Sequence, residues 1–375
     1  MVQGVIAVSD TSKEGLERIC RQLRDSGSKG VFALFAEAAV GQVPLLQAAA
    51  RAHRLQLSGG VFPALIHEAR FGATPLLLYP LPEPLPYRLI PLADYDEQPR
   101  AGIAEIVDLV EGGDDETHST LVMLFDSQFG KVASFLDRLY LELGDSVSYA
   151  GACAGSETFQ PMPCLFDADR LLGQAVLVLR MPEDMPVGIE HGYAHSPEGL
   201  VATSTSGNCI DQINWHPALS AYADLARRHY GLEVTADNFY GMAVHFPFGI
   251  SRLHGESVVR IPVALTEKGA IHCVGEIPEN AVLTLLKGPD APDAAVMSQV
   301  ARPLVGHCRR ALVFYCAGRR MHMGASAGGE LALLAAALPA DLPWGGALSL
   351  GEIGVSGSHG YPLFHNACVM ALGGD

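Results

Sequence analysis

The sequence has no basic excess and no zinc-type cysteine spacing. Its 375 residues include 25 Lys and Arg against 41 Asp and Glu, which gives a formal net charge of −16. Without surplus cations, a surface cannot displace the counterions of a phosphate backbone, so the composition argues against nucleic-acid binding. The eight cysteines are scattered without a CxxC pair. Most lie in apolar segments, where a reduced cysteine behaves as a small core residue.

The sequence also lacks the long apolar runs of a membrane protein. Its apolar stretches are broken by Pro, Gly or charge before the roughly 20 residues that a membrane span requires. The opening segment turns polar within nine residues and has no signal-peptide pattern. We therefore expect a cytoplasmic protein without membrane insertion.

Three stretches of the sequence repeat one plan, in which an apolar strand leads to a helix and then to a Gly-rich strand. They begin with VFALFAE (31–37), TLVMLFDS (120–127) and RALVFYCAG (310–318). These strands are continuously apolar rather than alternating, which is typical of strands covered on both faces. The pattern predicts an α/β fold of two layered domains, built from repeated strand–helix–strand units with mixed sheets covered by helices.

Two further helices are indicated in the second half of the chain. The segment 217–230 begins with Pro and is followed by Gly, as helix capping prefers. The segment 292–307 also has helical character, although Pro303 should bend or end it. We place the domain boundary before the first of these helices, which gives domains 1–216 and 217–375.

The segment 79–92, YPLPEPLPYRLIPL, is rich in proline. Proline cannot donate a hydrogen bond to a sheet ladder and breaks helices, so a central strand and a helix are both disfavoured. We expect an extended connector.

The C-terminal third contains an apolar strand that ends in Cys316 and is followed by Arg319 and Arg320, then a helix, the segment Gly351–Ile353 and the strand Phe364–Asn366. This order resembles the end of the C-terminal domain of the FIST family of bacterial sensory proteins. The family pattern has a strand ending in Cys and Arg, here Arg319 or Arg320, then a helix, a Gly-Glu-Ile segment and a Phe-His-Asn strand. Upstream, HGYAHSPEGLVATSTSG resembles the family's His-Gly-aromatic turn and Thr strand. The resemblance covers nearly the whole chain but departs at the N-terminal Gly-rich turn, which reads LSGGVFPALI.

This resemblance implies an intracellular ligand-binding sensory protein of bacterial signal transduction that has no catalytic activity. The sequence shows no output domain, so a separate histidine kinase or cyclic-dinucleotide enzyme would carry the response. A homo-oligomer is left open. Some family members bind haem and sense nitric oxide, and a His in the His-Gly-aromatic turn looks like their iron ligand. His191 falls inside that turn, with Tyr193 as its aromatic residue, and His195 lies just outside it. A loop histidine that hydrogen-bonds backbone is the alternative.

A second set of polar residues lies among the apolar strands of the third unit. A buried carboxylate such as Glu352 is costly unless it is paired, and Arg319 or Arg320 is the obvious partner. With His365 and Asn366, such a pair could hold an amino-acid-like metabolite instead of haem. An internal salt bridge is the structural alternative. Cys316 is a further candidate ligand for haem or metabolite, or else a buried core thiol.

An enzyme is the contrasting hypothesis. The run Gly324-Ala-Ser326-Ala-Gly328 matches the nucleophile-elbow pattern of serine hydrolases, with Asp341 and either His359 or His365 downstream. However, an elbow requires the strand to run directly into the serine turn, whereas a polar segment intervenes here. No GxGxxG follows a strand with an acidic residue about 20 positions later, as a dinucleotide site requires. We therefore predict no catalytic residues.

Overall fold

The computed structural model describes residues 4–113, 118–252, 257–355 and 360–374. Its helices, in chain order, are α1 Lys13–Asp25, α2 Val43–Ala52, α3 Ala101–Glu111, α4 Val132–Leu143, α5 Ala218–Tyr230, α6 Phe239–Ala243, α7 Ala294–Ala301, α8 Ala317–Met323 and α9 Ala327–Ala337. Short 3-10 turns cover Glu37–Gln42, Arg302–Leu304 and Gly324–Ser326.

The strands, in chain order, are β1 Ile6–Val8, β2 Gly30–Ala36, β3 Gln56–Phe62, β4 Leu65–His67, β5 Arg70–Phe71, β6 Leu76–Leu81, β7 Tyr87–Pro91, β8 Ser119–Asp126, β9 Val147–Ala154, β10 Leu165–Asp167, β11 Leu171–Leu172, β12 Ala175–Met181, β13 Val187–Glu190, β14 Ala194–Ser206, β15 Cys209–Ile213, β16 His216–Pro217, β17 Phe248–Ser251, β18 Ser257–Arg260, β19 Pro262–Leu265, β20 Ile271–Cys273, β21 Val282–Lys287, β22 Arg310–Cys316, β23 Trp344–Ser349, β24 Glu352–Val355, β25 Pro362–His365 and β26 Val369–Gly374.

The three predicted strand–helix–strand units are present. In each unit a helical crossover joins a buried strand to a Gly-rich strand, and the two strands pair in parallel. The pairs are β2 with β3, β8 with β9, and β22 with β23. The glycines of the returning strands are needed for close packing. A Cβ at Gly346 of β23, for example, would lie 1.7 Å from the Val313 carbonyl oxygen of β22.

Each unit forms the centre of a six-stranded mixed sheet. The first sheet has the order β1-β6-β2-β3-β10-β11, the second β25-β24-β9-β8-β12-β7, and the third β13-β26-β22-β23-β4-β5. The parallel pair of each sheet is flanked by antiparallel neighbours. The predicted α/β class with mixed, helix-covered sheets is therefore confirmed.

Strands from both halves of the sequence pair with each other. The third sheet joins β4, β5 and β13 to the C-terminal β22, β23 and β26, and the second sheet joins β9 to β24. The division at 216 and 217 therefore does not divide the hydrogen-bonded sheets. The domain boundary between residues 216 and 217 stays a prediction from the sequence.

The three six-stranded sheets bury a common core. Inward side chains of β2, β8 and β22 belong to one apolar cluster, which includes Phe32, Leu124 and Phe314. The rings of Phe62 and Phe314 lie 5.6 Å apart and join the first sheet to the third. The opposite faces of the second and third sheets are covered by α3, α4, α7 and α9.

A fourth sheet, which is antiparallel, forms a separate layer that we call the antiparallel module (194–287). Its order is β18-β17-β21-β14-β15-β20-β19, with β16 paired to β15. The helix predicted at 217–230 is confirmed as α5, which ends at Gly231 in the left-handed conformation that glycine favours. The helix predicted at 292–307 is present as α7, and Pro303 falls in the 3-10 turn that ends it.

The prediction that the Pro-rich segment is only a connector is wrong. Pro80 lies in β6, a strand inside the first sheet, and Pro91 ends β7. β6 tolerates proline because the described pairing of β1 with β6 covers only Leu76–Leu78 and requires no N–H group from Pro80. β7 is the edge strand of the second sheet.

Candidate functional site

A cavity of about 310 Å³ lies where the third unit meets the antiparallel module. The end of β22, the start of α8, α6, β19 and the turn after β9 form its walls. Most of the lining is apolar, and a few of its residues carry polar groups. The lining residues are Glu157, Phe159, Tyr240, Val244, Ile261, Pro262, Val263, Val274, Cys316, Ala317, Gly318, Met321, Leu350 and Asn366. A concave, largely apolar site with few polar groups is typical of small-molecule binding.

The local sequence explains why the two parts approach so closely here. α8 begins directly after Cys316, so the chain turns away at the carboxyl end of β22 and leaves space beside it. Gly318 lets the module pack against this turn, because a Cβ there would lie 2.3 Å from Cδ1 of Ile261. Phe159, Tyr240 and Met321 are 40%, 48% and 50% exposed and form an apolar rim.

Glu352 lies fully buried behind the cavity wall, and no salt bridge joins it to another of the described residues. Its Oε1 accepts a hydrogen bond from Ser349 Oγ at 2.6 Å, and its Oε2 accepts one from the Cys368 N–H at 3.3 Å. Burial raises the pKa of Glu352 to about 8, although these hydrogen bonds and the Cys316 thiol oppose the shift. The residue therefore carries a proton at neutral pH.

Arg319 pairs with Glu330 of α9, so the predicted pairing of Arg319 with Glu352 is wrong. Both side chains of the observed pair are 0% exposed, and the guanidinium donates to the two carboxylate oxygens at 2.6 and 2.7 Å. Tyr315 Oη donates to the same carboxylate at 2.5 Å. Burial lowers the pKa of Arg319, but the hydrogen bonds to Glu330 outweigh it and raise the pKa overall. The partner of Arg319 therefore lies 11 residues later, on the next helix, and not on the strand that contains Glu352.

Arg319 also joins two distant backbone segments. Its Nη1 donates to the Ala367 carbonyl at 3.1 Å and to the carbonyl of His191. Ala367 follows the cavity residue Asn366 and has φ of +59°. Arg320, the other candidate, lies over the Phe71 ring at 5.0 Å. Arg319 therefore joins backbone segments beside the cavity, and neither Arg319 nor Arg320 lines the cavity.

His365 and Asn366 are buried polar residues with unsatisfied atoms. Three of their atoms have no hydrogen-bond partner among the described residues, namely both ring nitrogens of His365 and the Oδ1 of Asn366. The Asn366 Nδ2 donates to the His365 carbonyl at 2.9 Å, which orients the amide. Burial, with His191 and Arg260 nearby, lowers the pKa of His365 to about 3, so the ring is neutral.

Cys316 lines the cavity but is not an activated thiol. Burial and the nearby Glu352 raise its pKa, and the N–H groups of Arg319, Ala367 and Gly318 oppose this only in part. A protonated thiol is a poor nucleophile and a poor iron ligand. Cys316 therefore serves as an apolar wall residue.

The His191 turn does not fit an iron ligand as it is folded. His191 Nδ1 accepts a hydrogen bond from the Tyr193 N–H at 2.9 Å, and the ring also hydrogen-bonds the Ser257 backbone. Burial lowers the pKa of His191 to about 4. Tyr193 packs against the His322 ring at 5.6 Å, and His195 is exposed near Thr284. His191, Tyr193 and His195 do not line the cavity.

Ser326 does not stand at a nucleophile elbow. α8 separates it from β22, and its exposed side chain ends the 3-10 turn before α9. No hydrogen bond links it to a histidine in the part of the chain that the structure describes. His359, one predicted triad member, lies outside the described residues.

Of the residues that line the cavity, the sequence predicted only Cys316 and Asn366. Glu157, Phe159, Tyr240 and Val263 come from segments that are distant in sequence from the third unit. Their sequence signal was limited to aromatic residues in two otherwise polar segments, TFQP and DNFYG.

Over the described ranges, no three His, Cys, Asp or Glu side chains form a group that could hold a metal ion. No described helix combines the length and apolarity needed to cross a membrane.

Comparison with known proteins assigns the chain to a family. The model of the FIST N domain matches residues 2–216, and that of the FIST C domain matches residues 218–355. The second match ends before the Phe364-His365-Asn366 segment. No curated protein matches the chain. The chain belongs to the FIST family, whose domains are small-ligand sensory domains of signal transduction.

Proposed function

We propose that this FIST protein senses a small molecule that binds in the cavity between the third unit and the antiparallel module. The observation that carries the proposal is the cavity itself, whose 310 Å³ are within the range of about 300–1,000 Å³ of ligand sites. The unsatisfied amide oxygen of Asn366 at the same place supports it, because buried polar atoms ordinarily have a partner.

The arrangement of the walls offers a route from binding to signalling. One wall is the third unit, through Cys316 and Leu350, and the other is the antiparallel module, through Tyr240 and Val263. A ligand that touches both favours the conformation in which they are close. Arg319 connects this place to the His191 turn, which leads into β14 of the module. We propose that a separate protein reads this change, and a histidine kinase or a cyclic-dinucleotide enzyme fits the family resemblance.

Haem binding through His191 is not part of the proposal. Its ring hydrogen bonds would have to break, and the ring lies outside the lining of the cavity. A spectrum tests this directly. We expect no sharp Soret band on adding haem to the purified protein; a band that shifts with nitric oxide and disappears in His191→Ala would restore the haem hypothesis.

A filled cavity is the test of ligand binding. Val263→Trp places an indole in the cavity, whereas Val282→Trp makes the same substitution at an exposed strand position and serves as the control. A metabolite screen by melting temperature should find compounds that stabilise the natural protein and Val282→Trp but not Val263→Trp. Equal stabilisation of all three proteins would place the ligand elsewhere.

A further inference from the structure

Among the described residues that line the cavity, the one charged side chain is the exposed Glu157 at its mouth, and no Lys, Arg or His contributes to the wall. Two buried arginines close to the lining are already engaged. Arg319 pairs with Glu330 and donates to two carbonyl groups, and Arg260 donates to the carbonyl groups of Glu276, Val259 and Phe364. An anionic group placed in this cavity would lose its hydration without gaining a cation, which is strongly unfavourable.

The unsatisfied polar atom of the lining residue Asn366 accepts rather than donates. Asn366 is 1% exposed, and its Nδ2 is held by the His365 carbonyl, which can only accept. The amide oxygen is therefore the unsatisfied atom. A ligand satisfies this oxygen only if it brings an N–H or O–H group.

The rim suits a cation with an apolar body. Phe159 and Tyr240 expose their rings at the mouth, beside the Glu157 carboxylate. Aromatic faces attract ammonium groups, most strongly where water is reduced. The net charge of −16 adds a long-range attraction for cations.

We infer that the cavity selects a small apolar amine in its ammonium form, with Asn366 and Glu157 as the residues that determine this specificity. This inference rests on the proposed function, since it names the class of ligand for the same cavity. It replaces the amino-acid-like ligand expected from the sequence, because the arginine that would have held a carboxylate is already paired.

Three probes of nearly equal shape separate the alternatives. 2-Phenylethylamine is cationic at neutral pH, 2-phenylethanol is neutral, and phenylacetate is anionic. Calorimetric titration should show the amine binding tightest, the alcohol about tenfold more weakly, and the acetate not measurably. Binding of the acetate as tight as that of the amine would overturn the inference.

Two variants assign the selectivity to residues. Glu157→Gln removes an exposed charge and leaves the fold intact, so it should weaken the amine about threefold and leave the alcohol unchanged. Asn366→Leu should weaken both the amine and the alcohol by about tenfold. Glu105→Gln, an exposed residue of α3 outside the cavity lining, is the matched control. Unchanged amine binding in Glu157→Gln and Asn366→Leu would also overturn the inference.

The outcomes distinguish this inference from the proposed function. If the three probes bind equally and Val263→Trp abolishes all of them, the cavity binds ligands but does not select amines. If the probes bind equally well to Val263→Trp, the cavity is not the site, and both proposals fail.

Discussion

The first and third strand–helix–strand units share one plan but bury different kinds of side chain. In the first, the buried Gln47 has its amide nitrogen bonded to two carbonyl groups, at 2.8 and 2.9 Å. In the third, Arg319, Glu330 and Glu352 are all 0% exposed. Burying charge is expensive, and a fold needs none of it to make this unit, as the first unit demonstrates. These buried polar groups of the third unit lie beside the cavity in which we propose that the ligand binds.

The two buried carboxyl groups of the third unit, Glu330 and Glu352, differ in how their burial is compensated. Glu330 is paired with the guanidinium of Arg319, whereas Glu352 has no such partner among the described residues and burial raises its pKa. The following predictions test this contrast and the contrast with the first unit.

The largest expected effect is the pH dependence caused by Glu352. Its pKa is raised from 4.5 to about 8, so the folded state holds a proton that the unfolded state releases. Stability is therefore highest below pH 4.5 for this group and is lost as the pH rises towards 8. Relative to Glu352→Gln, the free energy of unfolding should fall by about 5 kcal/mol across that window. Urea titrations at several pH values measure it. Parallel pH profiles would show that Glu352 is not a buried acid.

Breaking the ion pair should cost nearly as much. Glu330→Gln leaves the Arg319 guanidinium buried without its counterion, which should lower the free energy of unfolding by about 3–5 kcal/mol. The double variant Arg319→Met with Glu330→Leu removes both charges and should recover much of this loss. The measurement is the urea midpoint. A cost below about 1 kcal/mol for the single variant would mean that the pair is wetter than its burial indicates.

The matching change in the first unit should cost less. Gln47→Leu keeps the volume but removes the two hydrogen bonds from the Gln47 amide to the Asp167 and Arg170 carbonyl groups, so about 1–3 kcal/mol should be lost. The loss should not depend on pH, because no charge is involved. If Gln47→Leu were as damaging as Glu330→Gln, the proposed difference between the units would disappear.

Ser326 provides the smallest expected effect. It is exposed and its side chain makes no cap hydrogen bond to α9, so Ser326→Ala should change stability by less than about 0.5 kcal/mol. Ester hydrolysis by the natural protein, abolished in this variant, would contradict the assignment of a sensory protein.

The sequence predicted the repeated units because their signal is local. Continuous apolar strands, period-3.6 helices and Gly-rich returns appear within each unit, and β2, β8 and β22 form as expected. The pairing of β9 with β24 could not be predicted in this way, since the partners lie about 200 residues apart and carry no mutual signal. Pro80 misled the prediction because a proline rule depends on whether the neighbouring strand reaches that residue.

The site was predicted only in part for the same reason. Cys316 and Asn366 lie at the cavity, and Glu352 directly behind it, as their polar character among apolar strands indicated. Which carboxylate Arg319 would choose depended on the direction of α8, and a sequence does not give that direction. The walls formed by Phe159 and Tyr240 depend on long-range packing. The His191 turn was identified as a motif, but its hydrogen bonds were not predictable.

The central claim is that a small molecule occupies the cavity beside Cys316. Methionine methyl resonances test it directly, because Met321 lies at the cavity rim and Met123 lies buried in β8 of the second sheet. Spectra of the protein with labelled methionine methyl groups would be recorded with the compound that most raises the melting temperature, and Met321 would be assigned with Met321→Leu. We predict a concentration-dependent shift of the Met321 signal while that of Met123 stays in place. Saturable binding that leaves Met321 unshifted would contradict the account.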